Sequence, residues 1–312
     1  MYYYRKDLEE KRKNWVNVPR QKTMLCLNES PKNPFEIVQD TFLEKMKNSH
    51  LNRYFSEVTN QLYLKLASYI GYSITPQNIL FGNGADEMLY YLFTALNDKD
   101  SFILSLSPSY FDYKSYSSSV GLDIKFHYLD NDFGFSTEEL LRKSSDRNCK
   151  MIILCNPNNP TGNIFDDEQI IYVIENTDKL VLIDEAYFEF SKKTFVDKIA
   201  KYDNLIILRT FSKGFSSAGL RFGYLISQKQ NIDEIQKVFT VFNSSILVQN
   251  FALSMLEHKE KFEEVNESLI TERENLYQNM KELQIEVIKS YTNFLSFNLG
   301  KKSIPFFHYL QE

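Results

Sequence analysis

Between about residues 53 and 230, short β-rich runs alternate with stretches in which apolar positions recur every three to four residues. The runs are NILFG (78–82), SFILSL (101–106), DIKFHYL (123–129), MIILC (151–155), KLVLID (179–184), NLIILRT (204–210) and RFGYLIS (221–227). Most are continuously apolar, as expected of strands covered on both faces. The intervening segments ADEMLYYLFTALN, SYFDYKSYSSSVG and DDEQIIYVIEN carry helical spacing. Alternation of the two predicts an α/β fold, with a mostly parallel seven-stranded sheet flanked by helices. Ligands of such sheets bind at the carboxyl ends of the strands.

From Asn231 the pattern changes. Residues 231–284 are charged, amphipathic and helical, and include the long stretch LVQNFALSMLEHKEKFEEVNESLITERENLYQNM. This reads as a connecting helix leading into a smaller α+β domain, of which YTNFLSFNL (291–299) would be a strand. FFHYLQE then opens a further helix that shows no C-cap signal, so the small domain is expected to be incomplete in this chain. The predicted organisation is an N-terminal arm with part of the small domain (1–45), a large domain (46–230), and a connecting helix with a partial C-terminal small domain (231–312).

Composition narrows the classes. With 312 residues, 43% of them hydrophobic, the chain can fill a large core and a smaller one. The net charge of −5 and scattered Lys/Arg residues argue against a nucleic-acid or anionic-membrane surface, and RKDLEEKRK near the start reads as a solvated helix. Cys26, Cys149 and Cys155 have neither metal-ligand nor CxxC spacing and suit a reducing cytoplasm; no metal site is expected. Tyr2, Tyr3 and Tyr4 are followed by charge, not by the apolar core of a leader, and no apolar run would span a bilayer. The abundant Phe and Tyr read as core filling.

The candidate chemistry lies at strand ends. Lys213 follows the run NLIILRT, with the hydroxyls of Thr210 and Ser212 just before it and Arg221, in AGLRFGY, soon after. An amine beside hydroxyls and a guanidinium can hold a phosphorylated aldehyde as a Schiff base. Asp184 ends VLID; burying it there calls for a cationic partner, although a strand-end Asp can also cap a following helix. NPNNPTG (156–162) follows MIILC and is otherwise an ordinary turn sequence. Gly82-Asn83-Gly84-Ala85-Asp86-Glu87 lies between a strand and a helix, where free N–H groups cradle phosphate. It lacks the Lys-Ser/Thr pair of a P-loop and the third glycine of a dinucleotide fingerprint, which disfavours a nucleotide-binding protein.

In order along the chain, GADE, PSYxxY, NPNNPTG, DEAY, SK and AGLRxGY resemble the fold-type I pyridoxal-phosphate (PLP) enzymes, class I/II aminotransferases, and within them the histidinol-phosphate aminotransferase branch. The resemblance covers residues 24 to 299. It implies PLP on Lys213, Asp184 on the pyridine nitrogen, and Tyr187 with Asn159 on the ring oxygen. The phosphate would be held by Gly84, Ala85, Asp86, Thr210, Ser212 and Arg221. Tyr110 would stack on the ring, Tyr54 would reach the phosphate from the partner subunit of a homodimer, and Asn28 would lie near the substrate. On the residues alone Tyr110 reads equally as a core tyrosine and Tyr54 as a helix-start staple. Transfer from a small-molecule amino donor, glutamate, to an oxo acceptor such as imidazole-acetol phosphate is the implied reaction. The family's substrate-binding arginine lies beyond FFHYLQE and has no counterpart among these 312 residues. Two alternatives follow: a lyase resembling threonine-phosphate decarboxylase, whose N-terminal His-Gly-Gly is absent here, and a protein that binds PLP but is catalytically impaired.

Overall fold

A computed structural model describes residues 23–54 and 56–311. The expected N-terminal helix over RKDLEEKRK lies outside them. Seven strands form one sheet: β1 Ile79–Gly82, β2 Phe102–Ser107, β3 Asp123–Tyr128, β4 Cys149–Cys155, β5 Leu180–Asp184, β6 Leu205–Thr210 and β7 Gly223–Ser227. Their order is β1-β7-β6-β5-β4-β2-β3, and β7 alone runs antiparallel to its neighbours. The seven apolar runs thus become the seven strands, with ends shifted by a residue or two.

Alternation along the central strands feeds two cores. Val181 and Ile183 of β5 and Leu205 and Ile207 of β6 join one cluster, while Leu182, Ile206 and Leu208 join the other. Side chains at successive strand positions point to opposite faces, so a run without polar residues requires cover on both. Each such aliphatic side chain, taken fully out of water, contributes about 1.5–3 kcal/mol.

The helices are α1 Phe35–Lys47, α2 Val58–Ile70, α3 Ala85–Leu96, α4 Asp112–Val120, α5 Thr137–Ser144, α6 Asp167–Glu175, α7 Phe188–Ser191, α8 Lys229–Gln236, α9 Ile246–Glu257, α10 Lys259–Glu282 and α11 Ser303–Tyr309. Side-chain caps start several: Asp166 accepts from the N–H groups of Glu168 and Gln169, and Ser245 from that of Val248. The long helical pattern after residue 231 is interrupted. Residues 237–245 leave the helix, and α9 and α10 are separate, meeting at His258. The apolar α9 packs into the main core against α1 and α2, where Phe42 meets Phe251 edge to face at 5.1 Å.

The segment 291–299 departs from expectation. Only Phe297–Asn298 (β9) is a strand, paired with Glu286–Val287 (β8). Ahead of it the backbone is satisfied locally. Ser290 Oγ accepts from Thr292 N, Thr292 Oγ1 accepts from Phe294 N, and Tyr291 N donates to Gly162 O. Short hydroxyl side chains compete with a ladder in this way. They dock the segment onto the NPNNPTG turn instead of extending a sheet. The α4 helix also begins later than SYFDY suggests, leaving Tyr110 two residues ahead of it.

Candidate active site

The sheet register brings the candidate residues to one edge. Cys155 pairs with Asp184, Asp184 with Leu208, Thr210 with Gly223, and Gly223 with Gly82. Because β7 runs against the others, its first residue lies level with the last residues of β1 and β6.

The turn after β6 carries Lys213 and is anchored by aromatics. Phe211 and Phe215 are buried and stack at 4.1 Å, and Phe211 meets Phe222 edge to face at 4.7 Å. Ser217 Oγ donates to Phe211 O, and the buried Asn266 of α10 donates to Gly214 O at 3.0 Å. Lys213 Nζ itself donates to Leu27 O at 2.6 Å. Burial pushes its pKa below the ordinary lysine value, against the pull of Glu29 and Asp86; Arg221 pushes in the same direction as burial. A larger share of neutral amine follows, which is what a nucleophile or base requires.

Asp184, at the end of β5, is 4% exposed. Among the described residues both donors to its carboxylate are neutral: Tyr113 Oη reaches Oδ2 at 2.6 Å and Ala186 N reaches Oδ1 at 3.0 Å. Burial pushes its pKa up to about 6, with the Tyr113 bond working against that rise. Tyr187, three residues on, is buried. Its hydroxyl accepts from Asn28 Nδ2 at 2.9 Å and from Asn159 Nδ2 at 3.2 Å. Burial drives its phenol pKa up, so it stays neutral.

The phosphate-type site forms where α3 begins. Gly84 caps the helix at φ 91°, a backbone region disfavoured for other residues. Gly223 lets β7 approach it: a Cβ there would lie 2.3 Å from Ala85 N. Arg221 Nη2 meets Asp86 Oδ2 at 2.7 Å, and its Nη1 lies 3.4 Å from Ser212 Oγ. Thr210 Oγ1 donates to Ser212 Oγ at 3.0 Å and accepts from Ser212 N. One guanidinium, two hydroxyls and a helix N-terminus make a donor set suited to a phosphate dianion.

The fold therefore gathers Lys213, Asp184, Tyr187, Asn159 and Asn28 in one place, and Gly84, Ala85, Asp86, Thr210, Ser212 and Arg221 beside them. Tyr110 joins both groups: its hydroxyl donates to Asp86 Oδ1 at 3.4 Å and its ring meets Tyr113 edge to face at 5.3 Å. Tyr54 is not gathered in. It is 80% exposed and stacks on Phe242 at 4.7 Å. Four contributors lie outside the residues singled out from the sequence. Tyr113 was visible within PSYxxY. Asn293 Nδ2 donates to Asn28 O, and Phe294 lies edge-on to Tyr187 at 5.4 Å; both belong to a segment read as a strand. The Leu27 carbonyl carries no signal in its side chain.

These residues fit PLP. A deeply buried carboxylate supplied only with neutral donors suits a protonated ring nitrogen, and the donor set at α3 suits the phosphate. Residues 20–312 match the family "Aminotransferase class I and II", and the chain belongs to it: a fold-type I PLP-dependent aminotransferase. Its relatives place it in the branch of the histidinol-phosphate aminotransferases. It is 37% identical over 280 residues to the histidinol-phosphate aminotransferase of Caldanaerobacter subterraneus subsp. tengcongensis, covering 89% of this chain and 79% of that protein. It is 33% identical over 293 residues to that of Clostridium novyi, covering 94% and 82%. The histidinol-phosphate aminotransferase of Sinorhizobium meliloti, solved in complex with pyridoxal-5'-phosphate, shares the fold at a TM-score of 0.78 and 23% identity, covering 88% of this chain and 75% of that one. Among the described residues no helix is long and apolar enough to cross a membrane.

Proposed function

We propose that this aminotransferase carries PLP on Lys213 and moves an amino group from glutamate to a phosphorylated oxo acceptor of the imidazole-acetol-phosphate type. The observation that carries the cofactor reading is geometric: Lys213 lies just past the end of β6, and at the end of the adjacent β5 a buried carboxylate has, among the described residues, only the Tyr113 hydroxyl and the Ala186 N–H as donors. When bound, PLP supplies a conjugated ring that takes up the electron pair left when an amino acid loses its Cα proton. Asp184 holds the ring nitrogen's proton in place. Once the donor's amine has displaced it from the cofactor, the free Lys213 amine would take the proton from the substrate Cα and later return one. Tyr187, which accepts from two asparagines, keeps its own hydrogen to donate to the ring oxygen, and Asn159 shares that oxygen. The Ala85 and Asp86 N–H groups, Thr210, Ser212 and Arg221 hold the phosphate, and Tyr110 covers the ring.

Asn28, bonded to Tyr187 and held through its carbonyl by Asn293, would lie near the substrate in this reading; these contacts support it. The exposed Tyr54–Phe242 stack suits the proposed homodimer, in which Tyr54 serves the partner's phosphate site. We retain a cytoplasmic location and the division near residues 45 and 230 as parts of the same reading. The substrate proposal rests on the two curated relatives.

The test is a donor and acceptor screen on purified enzyme, followed at the PLP absorbance. Glutamate should convert the lysine-bound form, and imidazole-acetol phosphate should restore it. Release of CO₂ from a phosphorylated amino acid without amino transfer would point to the lyase instead. Sustained turnover by Lys213→Ala would remove the lysine from the chemistry.

A further inference from the structure

We propose that Tyr113 is a positioning residue for the cofactor's ring nitrogen, acting through Asp184; this rests on the PLP reading above. Tyr113 is 1% exposed and lies in the first turn of α4, a position fixed from several sides. Its hydroxyl gives Asp184 Oδ2 a short bond of 2.6 Å, and its ring abuts Tyr110. The loop ahead of it is tied to the turn that carries Asn159: Ser109 Oγ donates to Asn158 Oδ1 at 3.0 Å, and Asn158 Nδ2 donates to Pro108 O at 3.1 Å.

The donor's neutrality matters. The other titratable groups acting on Asp184 are Asp86 and Glu185, which raise its pKa, while Cys155 and Tyr187 are themselves influenced by its charge. An arginine or lysine in place of Tyr113 would satisfy Asp184 and repel a protonated pyridine. A phenylalanine would strip one oxygen of a buried carboxylate of its donor. A phenol does neither. It holds the carboxylate in one orientation, favours its ionised form, and leaves its charge for one external cation. Through Tyr110, Asp86 and Arg221 the same contacts run on to the phosphate end. The two ends of the cofactor site are therefore set at a fixed spacing.

The experiment compares apo wild type and Tyr113→Phe for binding of PLP and of 1-deaza-PLP, in which the ring nitrogen is a carbon, by equilibrium dialysis. Wild type should prefer PLP. The variant should lose on the order of 10- to 100-fold of that preference, the scale of one hydrogen bond to a charged group, while its affinity for the deaza analogue stays within about 3-fold. Retained deaza binding shows that the variant is folded. If Tyr113→Phe binds neither ligand, 3,5-difluorotyrosine at position 113, a near-isosteric donor, decides: an undiminished preference supports the proposal and a lost one overturns it. An unchanged ratio in Tyr113→Phe also overturns it. Wild type that binds neither ligand would defeat the PLP reading itself, and wild type that binds both equally would defeat the role of Asp184.

Discussion

Asp184 and Glu185 are neighbours on the chain, both carboxylates and both almost wholly buried, yet they are provisioned in opposite ways. Glu185 receives Arg209 Nε at 2.9 Å and Nη2 at 2.8 Å, the Phe195 N–H at 2.7 Å and the Thr194 hydroxyl at 2.9 Å. Arg209 is itself 2% exposed, and its guanidinium lies 3.6 Å from the Phe188 ring centroid. Burial works against the Arg209 charge, but Glu185 holds its pKa above the ordinary value. Asp184 receives a phenol and one N–H. Successive residues at a strand end face opposite sides, so one carboxylate closes an ion pair inside the protein and the other is turned to the site edge. A buried carboxylate completed by its own chain is a structural part. One given only neutral donors is prepared for a cation from outside.

The largest effect should come from Asp184→Asn. The rate of the glutamate half-reaction should fall on the order of 10³-fold, the scale for removing a preorganised charge at a reacting group. The apo protein should be at least as stable as wild type, since an unpaired buried charge is removed. Stopped-flow absorbance and urea unfolding read the two halves; a variant that is active but unstable would invert the comparison. Next, Glu185→Ala strands Arg209 and should cost about 3 to 5 kcal/mol of folding stability, measured by urea unfolding.

The third prediction concerns pH. Glu189 lies near Arg209, accepts from Tyr69 Oη at 3.2 Å, and is pushed by burial up to about 7. A carboxyl whose pKa is raised in the folded state binds its proton more tightly there. Its contribution to stability is complete below the unfolded value, near 4.5, and is lost as pH rises through about 7. Apo wild type should therefore lose on the order of 1 to 3 kcal/mol across that window, and Glu189→Gln should flatten the profile. Asp184 adds a loss of the same sign between 3.8 and about 6. An unfolding midpoint in the Gln variant that tracks wild type across this range would refute the assignment. The smallest effect is expected for Asn28→Ala, a several-fold rise in KM for the amino donor with kcat little changed. An equal fall in kcat would move Asn28 from binding into the chemistry.

The sheet was legible because its central strands carry no polar interruption, so burial on both faces could be read directly. Lys213, Asp184 and Arg221 were legible because each stands at the end or beginning of such a run. Tyr113 was visible as part of PSYxxY, but its role was not, since that depends on α4 bringing its hydroxyl to Asp184 at the end of β5. No spacing rule carries that information. Asn293 and Phe294 were hidden by the apolar alternation of YTNFLSFNL. Hydroxyl-to-backbone bonds from Ser290 and Thr292 override that alternation. The break between α9 and α10 falls within an unbroken helical pattern, at His258, whose ring lies 2.6 Å from Thr41 Oγ1. That partner is distant in sequence and invisible to periodicity.

The central claim is that Asp184 is completed by the cofactor's ring nitrogen. The direct measurement is the ¹⁵N chemical shift of ring-labelled PLP bound to the enzyme near pH 8, in wild type and in Asp184→Asn. A protonated-pyridine shift in wild type that moves to the neutral value in the variant is the predicted result. A neutral ring nitrogen in wild type, or the same shift in both proteins, would contradict the account.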